Sequence, residues 1–220
     1  MTAQTDMGES ARQVRGPRTW AGDTPDERRA ARREAFLMAG IALLGHPNGA
    51  RVTTRAVCRE SKLTQRYFYE IFDDYDSFVA AAYRRARRIV RVNVARNVAG
   101  RTDMRQIIEA SITGWVEVLV AQPDVVRTIL RAPETEAVLK ASAQRQRADV
   151  EDMIVRELHH IADPPTKSIV ARAVWGAIRT LLLGYLDGEI PCSPEELNRQ
   201  CVALVEHMVL LAGDRSGEDK

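Results

Sequence analysis

One stretch constrains the fold of this chain more than any other: Thr53-Thr-Arg-Ala-Val-Cys-Arg-Glu-Ser-Lys-Leu-Thr-Gln-Arg-Tyr-Phe-Tyr-Glu-Ile-Phe72. Its pattern predicts two short helices broken by a tight turn. Thr53 or Thr54 can cap the first, a hydroxyl accepting one of the backbone N–H groups that an opening helical turn leaves unpaired. Ala56, Val57 and Glu60 continue at helical spacing until Ser61-Lys62-Leu63 interrupts. Thr64 is a second capping residue, and Phe68, Ile71 and Phe72 follow it on one helical face. Such a hairpin presents Gln65, Arg66 and Tyr67 at the exposed N-terminal end of its second helix. Polar, cationic and aromatic groups placed there can read base edges and grip phosphates in a major groove. A helical hairpin with a merely solvated polar face shows the same local pattern, so the flanking sequence decides.

Upstream, Thr24-Pro25-Asp26-Glu27 marks a helix start: a capping residue, then proline and two acids in the first turn. Phe36, Ala39, Ile41, Leu43 and Leu44 supply its apolar side, and Gly45-His46-Pro47-Asn48-Gly49 ends it. Downstream, Asp73 or Asp74 caps a long helix carrying Phe78, Val79, Ala82, Tyr83, Ala86, Ile89, Val90 and Val94. At about 1.5 Å per residue this helix is roughly 37 Å long, enough to tie a small head to a larger body.

These parts resemble the DNA-binding head of the TetR family of bacterial transcriptional regulators. In that family a first helix ends near a glycine and a Thr-capped second helix follows. A turn leads to a recognition helix with a tyrosine and a core phenylalanine, and a long fourth helix opens with a charged pair. The corresponding segments here are Arg28–Leu44, Thr53–Glu60, Thr64–Phe72 and Asp74–Val98. Tyr69 and Phe72 fall where the family's phosphate-contacting tyrosine and core phenylalanine stand. Three residues depart from the pattern. Lys62 occupies the turn where glycine is usual, Tyr75 replaces a phosphate-contacting lysine, and Gln65-Arg66-Tyr67 is bulkier than the small residues common there. The resemblance covers about the first hundred residues; beyond them only helix number and order agree.

The charge distribution points the same way. The net charge of +2 conceals a basic amino-terminal part, with 19 Lys and Arg against 11 Asp and Glu in residues 1–101. Residues 102–220 reverse the balance, 13 against 19. A basic head on an acidic body suits a molecule that turns one end toward a polyanion. The arginine cluster Arg84, Arg85, Arg87, Arg88 and Arg91 adds to that field, in part as a solvated helix face. No uninterrupted apolar run approaches the roughly 18 residues of a membrane span, and no signal-peptide core opens the chain. Cys58, Cys192 and Cys201 lack metal-site spacing and read as reduced thiols, so the expected location is cytoplasmic.

The expected fold is all-α: a three-helix helix-turn-helix head plus a C-terminal helical bundle, about nine helices. Residues 1–25 are expected to be a disordered arm carrying Arg12, Arg15 and Arg18, 26–73 the DNA-binding head, 74–213 the ligand-binding and dimerisation body, and 214–220 a disordered tail. In the body the pattern predicts helices over 103–121, 124–131 (stopped by Pro133), 134–161, 166–186 and 194–211. On the last two, small residues Ala173, Gly176, Thr180 and Gly184 share a side, and Leu197, Cys201, Leu204, Met208 and Leu211 form a heptad stripe. Both sets fit either burial within one subunit or a four-helix contact between two copies. The resemblance implies the second, a homodimer on a palindromic DNA operator.

Within the head, Thr53, Thr54, Thr64, Tyr69 and Tyr75 are candidate phosphate contacts, with Arg51 and Arg55 at the periphery. Gln65, Arg66 and Tyr67 are candidates for base edges, because Arg matches guanine and Gln matches adenine. In the body, Ile112, Trp115, Leu119, Met153, Trp175 and Ile178 could line an apolar chamber or be plain core. The resemblance implies the chamber, occupied by a small-molecule effector, and a repressor released when it fills. No cofactor or metal is expected. Two other readings stay open: a ligand-independent architectural DNA-binding protein, and a helical enzyme. Against the enzyme, His159-His160 cannot form the i, i+4 clamp of a helical metal site, and no Gly-rich phosphate loop, GxSxG or His-Glu-x-x-His occurs.

Overall fold

The computed structural model describes residues 24–47, 52–159 and 161–214, with side chains to Val209. Residues 1–23 of the expected amino-terminal arm, Arg51, His160, the side chain of Leu211 and the last six residues lie outside the described set, while Thr24 and Pro25 of that arm open α1.

Among the described residues the chain is helical throughout and has no strand. The head comprises α1 (Pro25–Leu44), α2 (Thr54–Ser61) and α3 (Gln65–Tyr69); α4 (Tyr75–Val98) leads into the body. The body adds α5 (Met104–Ala121), α6 (Pro123–Thr135), a single 3-10 turn (Ala137–Leu139), α7 (Lys140–Glu157), α8 (Pro164–Leu186) and α9 (Pro194–Asp214).

Local capping chemistry sets most helix starts. Thr24 and Glu27 form a reciprocal box, Glu27 N–H donating to Thr24 Oγ1 at 3.2 Å and Thr24 N–H to Glu27 Oε2 at 2.6 Å. Asp74 and Ser77 do the same for α4. Thr53 accepts from Ala56 N–H at 3.1 Å, Asp103 from Gln106 N–H and Asp163 from Thr166 N–H. Thr64 stands at the N-cap of α3 with extended backbone, but its hydroxyl makes no capping bond, and Gln122 and Leu139 likewise give α6 and α7 no side-chain cap.

The expected boundary between the sixth and seventh helices is corrected. Pro133 does not stop α6 but sits inside its last turn, and the helix closes through Glu136 N–H on the Ala132 carbonyl at 2.8 Å. A proline so near the end forfeits one intrahelical bond, and Arg179 donates to the neighbouring Leu130 carbonyl at 2.9 Å. Buried Val125, Val126, Ile129, Leu130 and Ala132 hold the helix to its neighbours. At the other end α7 stops at Glu157, because Leu158 and Ile161 turn inward to full burial.

One continuous apolar cluster runs from Phe36 in α1 to Val209 in α9. The head core contains all four phenylalanines of the chain. Phe36, Phe68, Phe72 and Phe78 pack with centroids 5.1 to 6.2 Å apart, mostly edge to face. The seam between α1 and α6 is close. Thr128 Oγ1 on α6 donates to the Ile41 carbonyl on α1 at 3.0 Å, fully buried. At the end of α1, Gly45 lies so close to α6 that a Cβ there would fall 2.2 Å from the Asp124 carbonyl oxygen.

The α8 helix has the length and mean hydropathy (1.4) to cross a membrane, with 28% of that window buried. Arg172 and Arg179 interrupt its apolar surface.

Candidate nucleic-acid interface

The turn between α2 and α3 is built on a strained residue. Lys62 has φ 57° and ψ 30°, the left-handed region, and is the one described non-glycine residue with positive φ. It ends α2 by donating its N–H to the Arg59 carbonyl at 3.3 Å, while Leu63 N–H donates to the Cys58 carbonyl at 3.0 Å. This reversal brings Thr64 to the start of α3. Phe68, fully buried, then pins that five-residue helix to α1 and α4, and Phe72 buries beside it. With those rings inside, the opposite side of α3 must face out.

Gln65, Arg66 and Tyr67 are all exposed, as are Thr53, Arg55, Thr64 and Tyr69, the last at 60%. Thr54 is half-buried. Arg66, its side chain 86% exposed, donates from Nε to Glu70 Oε1 at 3.0 Å along the same helix. An exposed i, i+4 pair of this kind contributes about 0.3–0.5 kcal/mol, little enough for a stronger acceptor to displace it. Tyr67 is held differently: the Arg32 guanidinium of α1 lies 4.6 Å from its ring centroid. Arg29 Nη2 donates to the Glu70 carbonyl at 2.9 Å, so α1 holds the middle and the C-terminal end of the short helix.

Tyr75 departs from its expected place at this surface. Its half-buried phenol donates to Glu136 Oε1 at 3.0 Å, joining the start of α4 to the 3-10 turn of the body. Burial and the adjacent Glu136 carboxylate push that phenol well above the usual tyrosine range. A group so engaged is a head-to-body tie and not an open phosphate contact. A second tie sequence reasoning missed is Tyr83, fully buried on α4, whose hydroxyl donates to Gln146 Oε1 on α7 at 2.8 Å. The only sequence signal was a polar residue at a core-spaced position of α7.

The candidate chamber residues separate. Ile112 and Leu119 are buried, and Trp115, Trp175 and Ile178 are partly buried against the same core. Met153 is 47% exposed and lines no interior space. Its place on α7 is on the outer side, and it leaves the candidate set.

The candidate dimer residues separate too. Leu197 and Cys201 are sealed inside the subunit, at 3% and fully buried, on a face of α9 that also buries Val205 and Val209. Gly184 is buried against Ile190. None of the three is available to a second copy: α9 turns Leu197 and Cys201 into its own subunit, and Gly184 of α8 lies under Ile190. Ala173, Gly176, Thr180 and Leu204 are exposed and Met208 is half-buried. A Cβ at Gly176 would meet nothing, and Ile169 beside them is 67% exposed. All three cysteines are free thiols.

No family model matches the sequence, and no curated protein sequence matches it. Solved structures do. A TetR-like transcriptional regulator from Rhodococcus sp. RHA1 superposes with TM-score 0.69 at 17% identity, covering 84% of this chain and 97% of its own. A TetR family transcription regulator from Marinobacter aquaeolei VT8 gives 0.67 at 14% identity, with 85% and 97% covered. The fatty acid degradation regulator FadR from Bacillus halodurans gives 0.62 at 9% identity, with 78% and 96% covered. The chain therefore has the fold of the TetR-type regulators, with its helix-turn-helix at the amino-terminal end.

Proposed function

We propose that this protein is a TetR-type, sequence-specific DNA-binding transcriptional regulator that acts as a homodimer and answers to a small, largely apolar ligand. The observation that carries the reading is the outward face of α3. Gln65, Arg66, Tyr67 and Tyr69 stand exposed beside the N-terminus of a helix whose inner side is locked by an aromatic core. Arg66 and Gln65 supply the base-edge donors and acceptors; Tyr69, Thr53 and Arg55 flank them as phosphate contacts. Tyr75 is removed from that list by its bond to Glu136.

A single head of this size reads only a few base pairs, and pairing two heads supplies two half-sites about one helical turn apart. The surface that supports pairing is the outer side of α8 with Leu204 of α9. There Ile169, Ala173, Gly176 and Thr180 leave an apolar, small-residue face uncovered. Ile169→Arg is expected to shift sedimentation from dimer to monomer; a monomeric unmodified chain would remove pairing from the proposal.

The ligand would act by population shift, favouring a body arrangement with mis-spaced heads. The Tyr75–Glu136 and Tyr83–Gln146 bonds give α4 its grip on the body side of that change. The test is selection of bound duplexes from a random pool, followed by gel-shift titration. Arg66→Ala is expected to cost about 1–3 kcal/mol of specific affinity with the fold unchanged. Equal affinity of that variant for every duplex would replace this reading with a sequence-tolerant architectural DNA binder.

A further inference from the structure

Where α1, α4 and α5 meet lies a groove of about 720 Å³. That is within the roughly 300–1,000 Å³ of small-molecule sites. Its floor is apolar: Leu37 of α1 and Val118 of α5 are buried beneath it, and half-buried Ile89 and 58% exposed Val92 of α4 rise into it. Val92 and Ile89 continue the apolar floor up to the mouth of the groove, so an apolar group could lie against both.

Its rim is charged, and the charges are not equivalent. Arg85 is paired with Glu34 at 2.7 Å. Arg96 is paired with Glu117 at 3.3 Å, and amides from Asn93 and Asn97 donate to the same carboxylate, holding Glu117 below the usual carboxylate range. Two arginines remain. Arg33 lies 5.7 Å from the Phe72 ring centroid, and neither it nor Arg88 has an ion-pair partner among the described residues. The groove thus offers two uncompensated guanidiniums above an apolar strip.

We propose that this groove binds a small amphipathic anion, a carboxylate or phosphate ester with an apolar tail. Arg88 and Arg33 hold the headgroup, and Val92, Ile89 and Val118 cover the tail. Guanidinium forks match either oxyanion with two parallel hydrogen bonds. A nucleic-acid backbone fits less well, since Glu34 and Glu117 in the walls would repel a continuous run of phosphates. Because the groove is walled by α1 of the head and α5 of the body, its occupant spans the joint between them. The site is separate from the core residues Trp115 and Trp175, and it stands whether or not the protein binds DNA.

The test uses the full chain without DNA. Decanoate and decyl phosphate are titrated by equilibrium dialysis, with acetate, inorganic phosphate and decyltrimethylammonium as controls. The expected result is saturable binding of one decyl anion per chain, with no comparable binding of the tailless anions or the cation. Arg88→Gln and Val92→Asp, both at exposed positions, should each weaken it by about tenfold, as loss of a charge-assisted contact or an apolar cover predicts. Arg33→Gln serves as a third probe if either variant melts differently by circular dichroism. Wild-type affinity in all folded variants, binding abolished instead by Trp175→Ala, or no saturable binding would each overturn the proposal. The relative affinity of decanoate and decyl phosphate distinguishes carboxylate from phosphate ester as the natural class.

Discussion

Head and body are built from different materials. The head closes around four phenylalanines, two of them contributed by the segment that carries the five-residue α3. The body closes around valine, leucine and isoleucine, and its two tryptophans on α5 and α8 sit only partly buried. Large rings in edge-to-face contact define one arrangement, and a helix too short to hold itself needs that definition. Aliphatic layers slide and repack at lower cost, which suits the ligand response proposed for the body. The contrast teaches that the short α3 takes its shape from an aromatic core, while the body relies on adaptable aliphatic packing.

The sharpest way to break this contrast is to empty the head. Phe68→Ala should destabilise the protein by about 3–5 kcal/mol in urea unfolding, because it removes the ring common to three helices. A loss near 1 kcal/mol would mean that the aromatic cluster does not organise the head.

The seam between the two regions comes next. Gly45→Ala places a methyl against the Asp124 backbone, which cannot swing aside as a side chain would. The expected cost is about 1–3 kcal/mol, with a change in operator affinity larger than the stability loss explains, since the head must tilt to make room. Unchanged affinity would show that the seam does not set head orientation.

The smallest effect runs in the opposite direction. Lys62→Gly relieves the left-handed backbone and should stabilise the head by about 1 kcal/mol in thermal unfolding. Destabilisation instead would reveal a favourable contact of the lysine stem that outweighs the strain.

Legibility in the sequence followed the range of the interaction. Thr24, Thr53 and Asp74 announced their helices because a cap bonds to a backbone group three residues away. The exposed set Gln65–Tyr67 was equally plain, since Phe68 and Phe72 could only face inward. Tyr75 was not. Its partner Glu136 is 61 positions distant, and no local pattern records that meeting. The same holds for Met153, whose apolar character at helical spacing did not say which side of α7 would meet the core.

By itself, then, the sequence determined a set of helices, a helix-turn-helix with an exposed recognition face, and a basic end opposite an acidic one. These rest on periodicity, capping and charge, all written within a few residues of where they act. Tertiary structure decided which face of α9 turns inward, that Pro133 lies within α6, that Tyr75 bonds to Glu136, and that α1, α4 and α5 enclose a groove. Each of those depends on which apolar surfaces meet, and α9 carries apolar residues on more than one side. Only the packing of the whole chain chooses among them.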